Sequence, residues 1–167
     1  MKKLRIYLET SVIGDFDAAT ERGAMTREFF RLMKVHADEY ELIVSPMLLE
    51  EIDAAPVEKQ TGLLSILRSL DYLEVPIQDE ANKLAKQYIA ARVLNKKHIN
   101  DLTHVAYAVL NRCDYIVSWN MKHIVRAKTM SGVQAFNRSN NYHSPNFVTP
   151  TAFTGEMPSA NDRNSYQ

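Results

Sequence analysis

Four side chains that carry oxygen atoms lie where apolar runs end, at the places where strands of an α/β fold stop or helices begin. They are Glu9 after LRIYL, Glu51 in VSPMLLEEI, Asp101 in INDLTHVAYAVL and Asn120 after CDYIVSW. Carboxylates gathered at the carboxyl edge of an open sheet repel one another unless a cation lies between them. Hard oxygen ligands hold Mg²⁺ or Mn²⁺ loosely enough to leave waters on the ion. The pattern therefore predicts a divalent-metal site of the kind that hydrolyses phosphodiester bonds.

The segment VSPMLLEEI contains two adjacent acids, and helical periodicity separates them. At 100° per residue, Leu48, Ile52 and Ala55 form the inward stripe; Glu51 lies about 60° from that stripe and Glu50 about 160° away. We expect Glu50 to face solvent. Glu51 should lie at the margin of the core, where unpaired charges are rare.

Each of the four residues also has an ordinary structural explanation when it is taken alone. Glu9 can be a solvated strand end beside a turn capped by Thr10 or Ser11, and Glu51 can pair with a nearby Lys or Arg. Asp101 in the first turn of a helix interacts favourably with the helix dipole, and Asn120 can cap the short segment that follows it. Their common position at one edge of one sheet favours the metal site.

Two ring side chains near these residues are expected to have structural roles. His104 lies one turn after Asp101 on the same helix face, so the two side chains can interact. We expect a hydrogen-bonded, partly buried imidazole there in preference to a metal ligand. Trp119 is the only tryptophan, and a core position is expected for it in preference to a base-stacking platform.

Short apolar runs alternate with amphipathic segments along the chain, which predicts a parallel sheet covered by helices on both faces. Ser45 and Pro46 indicate a helix start directly after the second strand. We therefore expect an α/β protein, a three-layer α/β/α sandwich with a central, mostly parallel five-stranded sheet. The predicted strands are LRIYL, ELIVS, YLEVP, DYIVSW and NFVTP, and the predicted helices span residues 22–36, 57–70, 79–93, 100–110 and 124–136, with a further helix starting at Pro46.

Composition restricts the classes of protein that the chain can represent. Its 167 residues, 46% apolar and 24% charged, are ordinary for one globular domain. Equal numbers of basic and acidic residues, 20 each, give no net charge, so binding to RNA would need a local basic patch. Cys113 is the only cysteine, which excludes an internal disulfide. The apolar run near the N-terminus is too short for a signal peptide and no segment matches a membrane helix, so we expect a cytoplasmic protein that does not bind membranes.

The ordered segments IYLETS, VSPMLLEEI, INDLTHVAYA and DYIVSWNMKHI resemble the PIN domain family, particularly the VapC-like toxins of bacterial toxin–antitoxin pairs. FNRSNNYHSPNFVTP is similar to the closing helix and last strand of that family, so the resemblance covers about residues 4–152. It implies a five-stranded parallel sheet between helices, RNA cleavage that depends on Mg²⁺ or Mn²⁺, a homodimer, and inhibition by a cognate antitoxin. A PIN-like nuclease domain is accordingly expected over residues 1–153. Residues 154–167 lack periodicity and are expected to form an irregular C-terminal tail.

The resemblance also implies roles for individual residues. Glu9 stands where most members have a first Asp, Glu51 matches the acid of the second motif, and Asp101 matches the Asp of the third. Asn120 stands where many members have a fourth acid. All four are expected to be catalytic and to bind the metal, and the residues expected to support them are Thr10, Ser118 and His104.

Two departures from the family pattern leave an alternative function open. Glu9 is one methylene longer than Asp, and Asn120 removes a negative charge. If these changes leave too few ligands for a metal, the domain would bind RNA or a protein partner with little catalysis. Phosphate transfer through an aspartyl nucleophile is disfavoured, because Glu9 followed by Thr10 does not supply that nucleophile or the second Asp it needs.

Basic residues flank two of the proposed ligands in the sequence and would suit contacts to RNA phosphates. An ordinary solvated surface explains them equally well. One group precedes Asp101 and consists of Arg92, Lys96, Lys97 and His98; the other follows Asn120 and consists of Lys122, His123, Arg126 and Lys128.

Overall fold

The computed structural model describes residues 2–155, in which strands and helices alternate as the sequence predicts. The strands are β1 Leu4–Leu8, β2 Tyr40–Val44, β3 Leu73–Glu74, β4 Tyr115–Val117 and β5 Asn146–Val148. The helices are α1 Thr10–Gly14, α2 Glu21–Val35, α3 Pro46–Asp53, α4 Val57–Arg68, α5 Asp79–Ala90, α6 Ile99–Leu110, α7 Ala127–Ser139 and α8 Thr151–Thr154, with a 3₁₀ turn at Lys96–His98 before α6. Within the described range, no helix is both long enough and apolar enough to cross a bilayer.

All five strands are parallel and follow the order β3-β2-β1-β4-β5, so β1 is central. Ile6 pairs with Leu42 on one side and with Tyr115 on the other. The predicted three-layer α/β/α sandwich around a five-stranded sheet is confirmed. The predicted division at residue 153 stays a prediction: Thr154 closes α8, and the expected tail from residue 156 onward lies outside the described residues.

The side chains of β1 alternate between the two helical layers, as a central strand requires. Ile6 and Leu8 pack in an apolar cluster with residues of α1, α2, α3 and α4. Tyr7 packs on the opposite face with residues of α5 and α6. All three side chains are fully buried, so the strand that carries Glu9 at its end is held firmly on both faces.

Helix α1 was not predicted, because five residues are too few for a periodic pattern to be recognised. It begins directly after Glu9, whose carboxylate accepts a hydrogen bond from the Ser11 amide at 3.1 Å and so caps the helix. Three helices also have bounds that differ from the predicted ones by more than one residue. α4 ends at Arg68 instead of residue 70, α5 ends at Ala90 instead of residue 93, and α7 spans Ala127–Ser139 instead of residues 124–136.

The segment that joins α1 to α2 is held by a close backbone approach at Gly23. A Cβ atom added at Gly23 would lie 1.9 Å from the carbonyl oxygen of Ala18. Arg27, one turn along α2, donates from Nη1 to the carbonyl oxygens of Phe16, at 2.7 Å, and Ala18, at 3.1 Å. The absence of a side chain at Gly23 therefore lets the residues after α1 lie directly on α2.

Replacing Gly23 with Ala should lower the free energy of unfolding by about 1–3 kcal/mol, because the new methyl group meets a backbone oxygen that cannot turn away. Gly62→Ala is the matched control, since Gly62 is exposed in α4 and a Cβ there meets no described atom within 4 Å. It should raise stability by about 0.5–1 kcal/mol through helix propensity. Urea denaturation measures both, and equal effects of the two variants would contradict the close approach.

Candidate metal centre

The predicted site residues lie at the carboxyl edge of the sheet. Glu9 follows β1, Glu51 lies on α3 just after β2, and Asn120 follows β4. β1 is paired with both β2 and β4, so the carboxyl ends of these three strands are adjacent. Asp101 reaches the same edge from the first turn of α6. Glu50 is exposed, as the helical periodicity predicts, and Glu51 is partly buried.

Glu9 is held in place by hydroxyl groups from two elements. Its side chain is only 6% exposed. Oε2 accepts hydrogen bonds from the hydroxyl of Ser11 and from that of Ser118, the latter at 2.7 Å. Ser11 Oγ in turn accepts from the Trp119 amide, and Ser118 Oγ accepts from the Asn120 amide, both at 2.9 Å. The hydroxyls therefore fix Glu9 relative to the chain that leaves β4.

A buried chain of hydrogen bonds holds Glu51. His104 is 1% exposed, and its Nε2 lies 2.5 Å from Oε1 of Glu51. A carboxylate only accepts, so Nε2 carries the proton and, in the neutral ring, Nδ1 accepts from the Tyr7 hydroxyl at 2.6 Å. Ser45 then donates to the Tyr7 oxygen at 2.7 Å. Thr10 Oγ1 also lies 3.3 Å from Nε2.

Burial raises the pKa of the Tyr7 hydroxyl well above its ordinary value. The hydrogen bond to Ser45 opposes this change, while the negative charges of Glu9 and Glu51 add to it. The hydroxyl therefore stays protonated and donates a hydrogen bond to His104. Because the order of donors is fixed, the imidazole presents an N–H to Glu51.

One potential ligand atom from each of Glu9, Glu51 and His104 lies within 4.8 Å of the others. Oxygens on opposite sides of a Mg²⁺ ion lie about 4.2 Å apart, so the spacing is close to what one ion requires. However, His104 Nε2 donates its proton to Glu51 and cannot bind a metal through the same atom. We therefore interpret His104 as the residue that orients Glu51, in line with the supporting role predicted from the sequence.

Asp101 is the third carboxylate of the edge. Its Oδ1 accepts from Asn120 Nδ2 at 3.3 Å, and its Oδ2 lies 3.5 Å from Nδ1 of His98. Burial raises the pKa of Asp101 and the charge of Glu9 raises it further, whereas His123, His104 and His98 lower it. Glu9 and Asp101 are therefore close enough for their charges to oppose each other.

Asn120 was predicted to be a metal ligand, and the structure shows both of its polar side-chain atoms in other contacts. Nδ2 donates to Asp101, while Oδ1 accepts from the His123 amide at 2.9 Å. Asn120 therefore orients Asp101, as Ser118 orients Glu9. Its role as a direct ligand stays a prediction.

The three carboxylates share an arrangement that suits a hard cation. Glu9, Glu51 and Asp101 each use one oxygen to accept an orienting hydrogen bond. Among residues 2–155, none donates a hydrogen bond to Glu9 Oε1 or Glu51 Oε2, while Asp101 Oδ2 lies 3.5 Å from Nδ1 of His98. Two oriented carboxylates with a free oxygen each, with a third carboxylate at the same edge of the sheet, are a donor set that suits Mg²⁺ or Mn²⁺.

The two basic groups seen in the sequence meet in space beside Asp101. A cavity of about 540 Å³ opens there. Its basic lining residues are Arg92, Lys96, His98, His123, Arg126 and Lys128. Lys97 and Lys122, which belong to the same two groups in the sequence, do not line the cavity. Six of the eight residues in those groups therefore converge on one surface.

The imidazole rings of His98 and His123 both line this cavity and contact each other. Their centroids are 3.8 Å apart, with an angle of 32° between the ring planes. The pKa of His123 is lowered by burial, then by the neighbouring His98 and by the charges of Arg126 and Lys97, while Asp101 opposes the change. A positive local potential therefore lies directly beside a cluster of carboxylates.

A cavity of about 680 Å³ lies away from the carboxylates, between α2 and the strands β2 and β3. None of the predicted site residues lines it. Its lining includes the aromatic side chains Phe16, Phe30, Tyr40 and Tyr72 and the basic side chains Lys3, Arg27, Arg31 and Lys34.

Sequence reasoning missed three residues that hold the site, Ser11, Tyr7 and Ser45. Ser11 and Ser45 read as turn and cap residues because hydroxyls are common there. Tyr7 reads as one more apolar residue of a buried strand. The only signal in the sequence is that a fully buried tyrosine hydroxyl must find a partner.

No protein-family model matches the chain, and no curated protein sequence matches it. The chain is similar to a chain in the crystal structure of VapBC2 from Rickettsia felis bound to a DNA fragment from its promoter, with 15% sequence identity and a TM-score of 0.55. That similarity covers 87% of this chain and 97% of the other. The fold is shared with the VapBC2 chain.

Tyrosyl-tRNA synthetase from Archaeoglobus fulgidus, solved with L-tyrosine, is similar at 13% identity with a TM-score of 0.50. The similarity covers 98% of this chain and 61% of the synthetase chain. At such identities a structural likeness concerns the fold alone, since one α/β architecture hosts many activities. The site itself must carry the functional argument.

Asp101→Asn should raise the melting temperature at pH 7 in the presence of EDTA, because it removes a buried charge that Glu9 repels. When folding raises the pKa of an Asp, ionisation of that Asp destabilises the folded state. The destabilisation grows as the pH rises from the ordinary pKa of Asp through the raised one. The difference between variant and wild type should therefore shrink as pH falls through the raised pKa of Asp101. Thermal unfolding monitored across that range measures it.

Asp79→Asn is the matched control, because Asp79 is an exposed acid in the first turn of α5. It should lower the melting temperature slightly, through loss of a favourable interaction with the helix dipole. A similar decrease for Asp101→Asn would contradict the repulsion and support a capping role for Asp101.

Proposed function

We propose that this protein is a metal-dependent endoribonuclease that hydrolyses RNA phosphodiester bonds, and that it is the toxin of a toxin–antitoxin pair. The observation that carries the proposal is the edge at which Glu9 and Glu51 each present one oxygen that accepts no described hydrogen bond, with the Asp101 carboxylate at the same edge. The fold shared with the VapBC2 chain supports the assignment to this class. It does not itself test nuclease activity.

Glu9, Glu51 and Asp101 would bind Mg²⁺ or Mn²⁺, which would stabilise charge on the phosphate and make a water molecule more acidic. The protein supplies the geometry. Ser118 holds Glu9, His104 holds Glu51 and Asn120 holds Asp101, so the three carboxylates would keep their directions when a substrate approaches. Such orienting contacts matter because small displacements of a reacting group cost large factors in rate.

The basic cavity beside Asp101 supports a polyanionic substrate. The chain has no net charge, so attraction of a nucleic acid depends on a local positive surface of this kind. RNA is the nucleic acid implied by the resemblance to the PIN domain family. The proposal also includes a homodimer, a cognate antitoxin as partner and a cytoplasmic location.

One observation favours a second candidate function, a domain that binds RNA or a protein partner with little catalysis. Asn120 replaces a carboxylate, and both of its polar side-chain atoms already have partners. Three carboxylates then have to hold the metal without a fourth. Measured cleavage separates the two candidates.

Glu51→Gln should lower the rate of Mn²⁺-dependent RNA cleavage by about a hundredfold or more, because an amide is a weak ligand for a hard cation. Glu9→Gln should do the same. The measurement is single-turnover cleavage of a labelled RNA oligonucleotide by the full-length protein, with and without EDTA. EDTA should stop cleavage by the wild type.

Glu50→Gln is the matched control, since Glu50 is the preceding residue of the same helix and faces solvent. It should cleave at the wild-type rate. If wild type cleaves no RNA at any Mn²⁺ concentration yet binds RNA tightly, the second candidate function is correct. If Glu9→Gln and Glu51→Gln cleave as fast as wild type, the site is elsewhere.

A further inference from the structure

The cavity beside Asp101 combines side chains from three separate parts of the chain. Arg92 follows α5, Lys96 and His98 form part of the 3₁₀ turn, and His123, Arg126 and Lys128 lie at or just before the start of α7. Its other described lining residues are Ile89, Val93, Leu94 and Asn95, so no acid is among them. Cations held close together repel one another, and an anion between them removes that repulsion.

Arg92 has a backbone conformation that its own side chain disfavours. Its φ angle is 61°, in the left-handed region where glycine is the usual residue. The Arg92 amide donates to Ile89 O at 2.9 Å and the Val93 amide donates to Tyr88 O at 3.0 Å, which closes the end of α5. The guanidinium is exposed and has no described hydrogen-bond partner. The charged side chain of Arg92 therefore lies at the cavity without a described partner. It does so at a position where the backbone of a glycine would be less strained.

The cavity and the carboxylates share one wall. His98 lines the cavity and approaches Asp101 to 3.5 Å, while the His123 amide donates to Asn120, which holds Asp101. An anion in the cavity would thus lie next to a phosphate bound at the carboxylates. Successive phosphates of one strand have this relation to each other.

We propose that this cavity is a subsite that binds one phosphate group of the RNA strand, next to the phosphate that is cleaved. The identity of the strand as RNA rests on the proposed function, whereas the preference for an anion follows from the charges of the cavity. Arg92 is well suited to the contact, because a guanidinium donates two parallel hydrogen bonds to phosphate oxygens. Lys96 and Lys128 add charge without fixed geometry.

Arg112 provides an unusually close control for Arg92. Its φ angle is 51°, and it occupies the same place after α6 that Arg92 occupies after α5. The Arg112 amide donates to Val109 O and the Cys113 amide donates to Ala108 O. Arg112 is exposed and precedes β4, so it lies at the opposite edge of the sheet. Substitution by glycine relieves the same backbone strain and removes the same charge in both variants.

The experiment compares wild type, Arg92→Gly and Arg112→Gly in binding to a labelled single-stranded RNA, with EDTA present to prevent cleavage. Arg92→Gly should weaken binding about tenfold, the effect of losing one charged contact. The slope of log K against log salt should become shallower by about 0.7, the value for one phosphate of a single strand. Arg112→Gly should bind as wild type does. Both variants should melt no lower than wild type, since glycine suits the left-handed position.

Inorganic phosphate is the second probe, because a free anion could use the same cavity. If phosphate raises the melting temperature of wild type but not of Arg92→Gly, while both bind RNA equally, the site takes free phosphate and the RNA subsite is wrong. Equal RNA binding by all three proteins with no effect of phosphate also overturns the proposal. Selective weakening by Arg92→Gly supports it.

Failure of the subsite and failure of the nuclease assignment give different results. If wild type cleaves RNA in Mn²⁺ but Arg92→Gly and Arg112→Gly bind RNA equally well, the proposed nuclease function is supported and the proposed phosphate subsite is wrong. If wild type cleaves nothing but Arg92→Gly selectively weakens RNA binding, the phosphate subsite stands in an RNA-binding domain.

Discussion

Repulsion between the charges of Glu9 and Asp101 is the constraint on which the rest of this edge depends. Three carboxylates can stay together without a cation only if other groups hold each of them. The rest of the fold must also be stable enough to offset the unfavourable free energy of their charges. Each carboxylate accepts a hydrogen bond from a residue on a different element, and Asp101 shows the cost in a pKa raised by burial and by the charge of Glu9.

The parallel sheet makes the arrangement possible. β2, β1 and β4 are neighbours and end at the same edge, so residues far apart in the sequence meet there without long loops. Tyr7 is the key link, since its side chain crosses into the layer of α5 and α6 and joins Ser45 to His104. The same buried residue therefore contributes to the core and fixes the direction of Glu51.

The sequence was sufficient for the architecture and for the edge on which the charges lie. Apolar runs of a few residues predicted the strands, and periodicity within α3 separated the exposed Glu50 from the partly buried Glu51. Such patterns are local, so they can be read without a structure. Helix α1 was not predicted, because its capping residue, Glu9, resembles the end of a strand in the sequence.

Contacts between distant residues could not be predicted in the same way. Tyr7 and His104 are separated by 97 positions, and Ser118 and Glu9 by 109. The contact of Asn120 is another example: the sequence predicts a ligand from the residue type, whereas its hydrogen bond to Asp101, 19 positions away, is visible only in the structure. The meeting of two basic groups in one cavity likewise depends on how α5, α6 and α7 pack, which no local pattern encodes.

We propose that Glu9, Glu51 and Asp101 form one site for a divalent cation. Calorimetric titration of the full-length protein with Mn²⁺ tests it most directly, because the result does not depend on the substrate. We expect one ion per chain in wild type and in Glu50→Gln, and binding at least about tenfold weaker in Glu51→Gln and Asp101→Asn. Equal Mn²⁺ binding by all four proteins would contradict the claim.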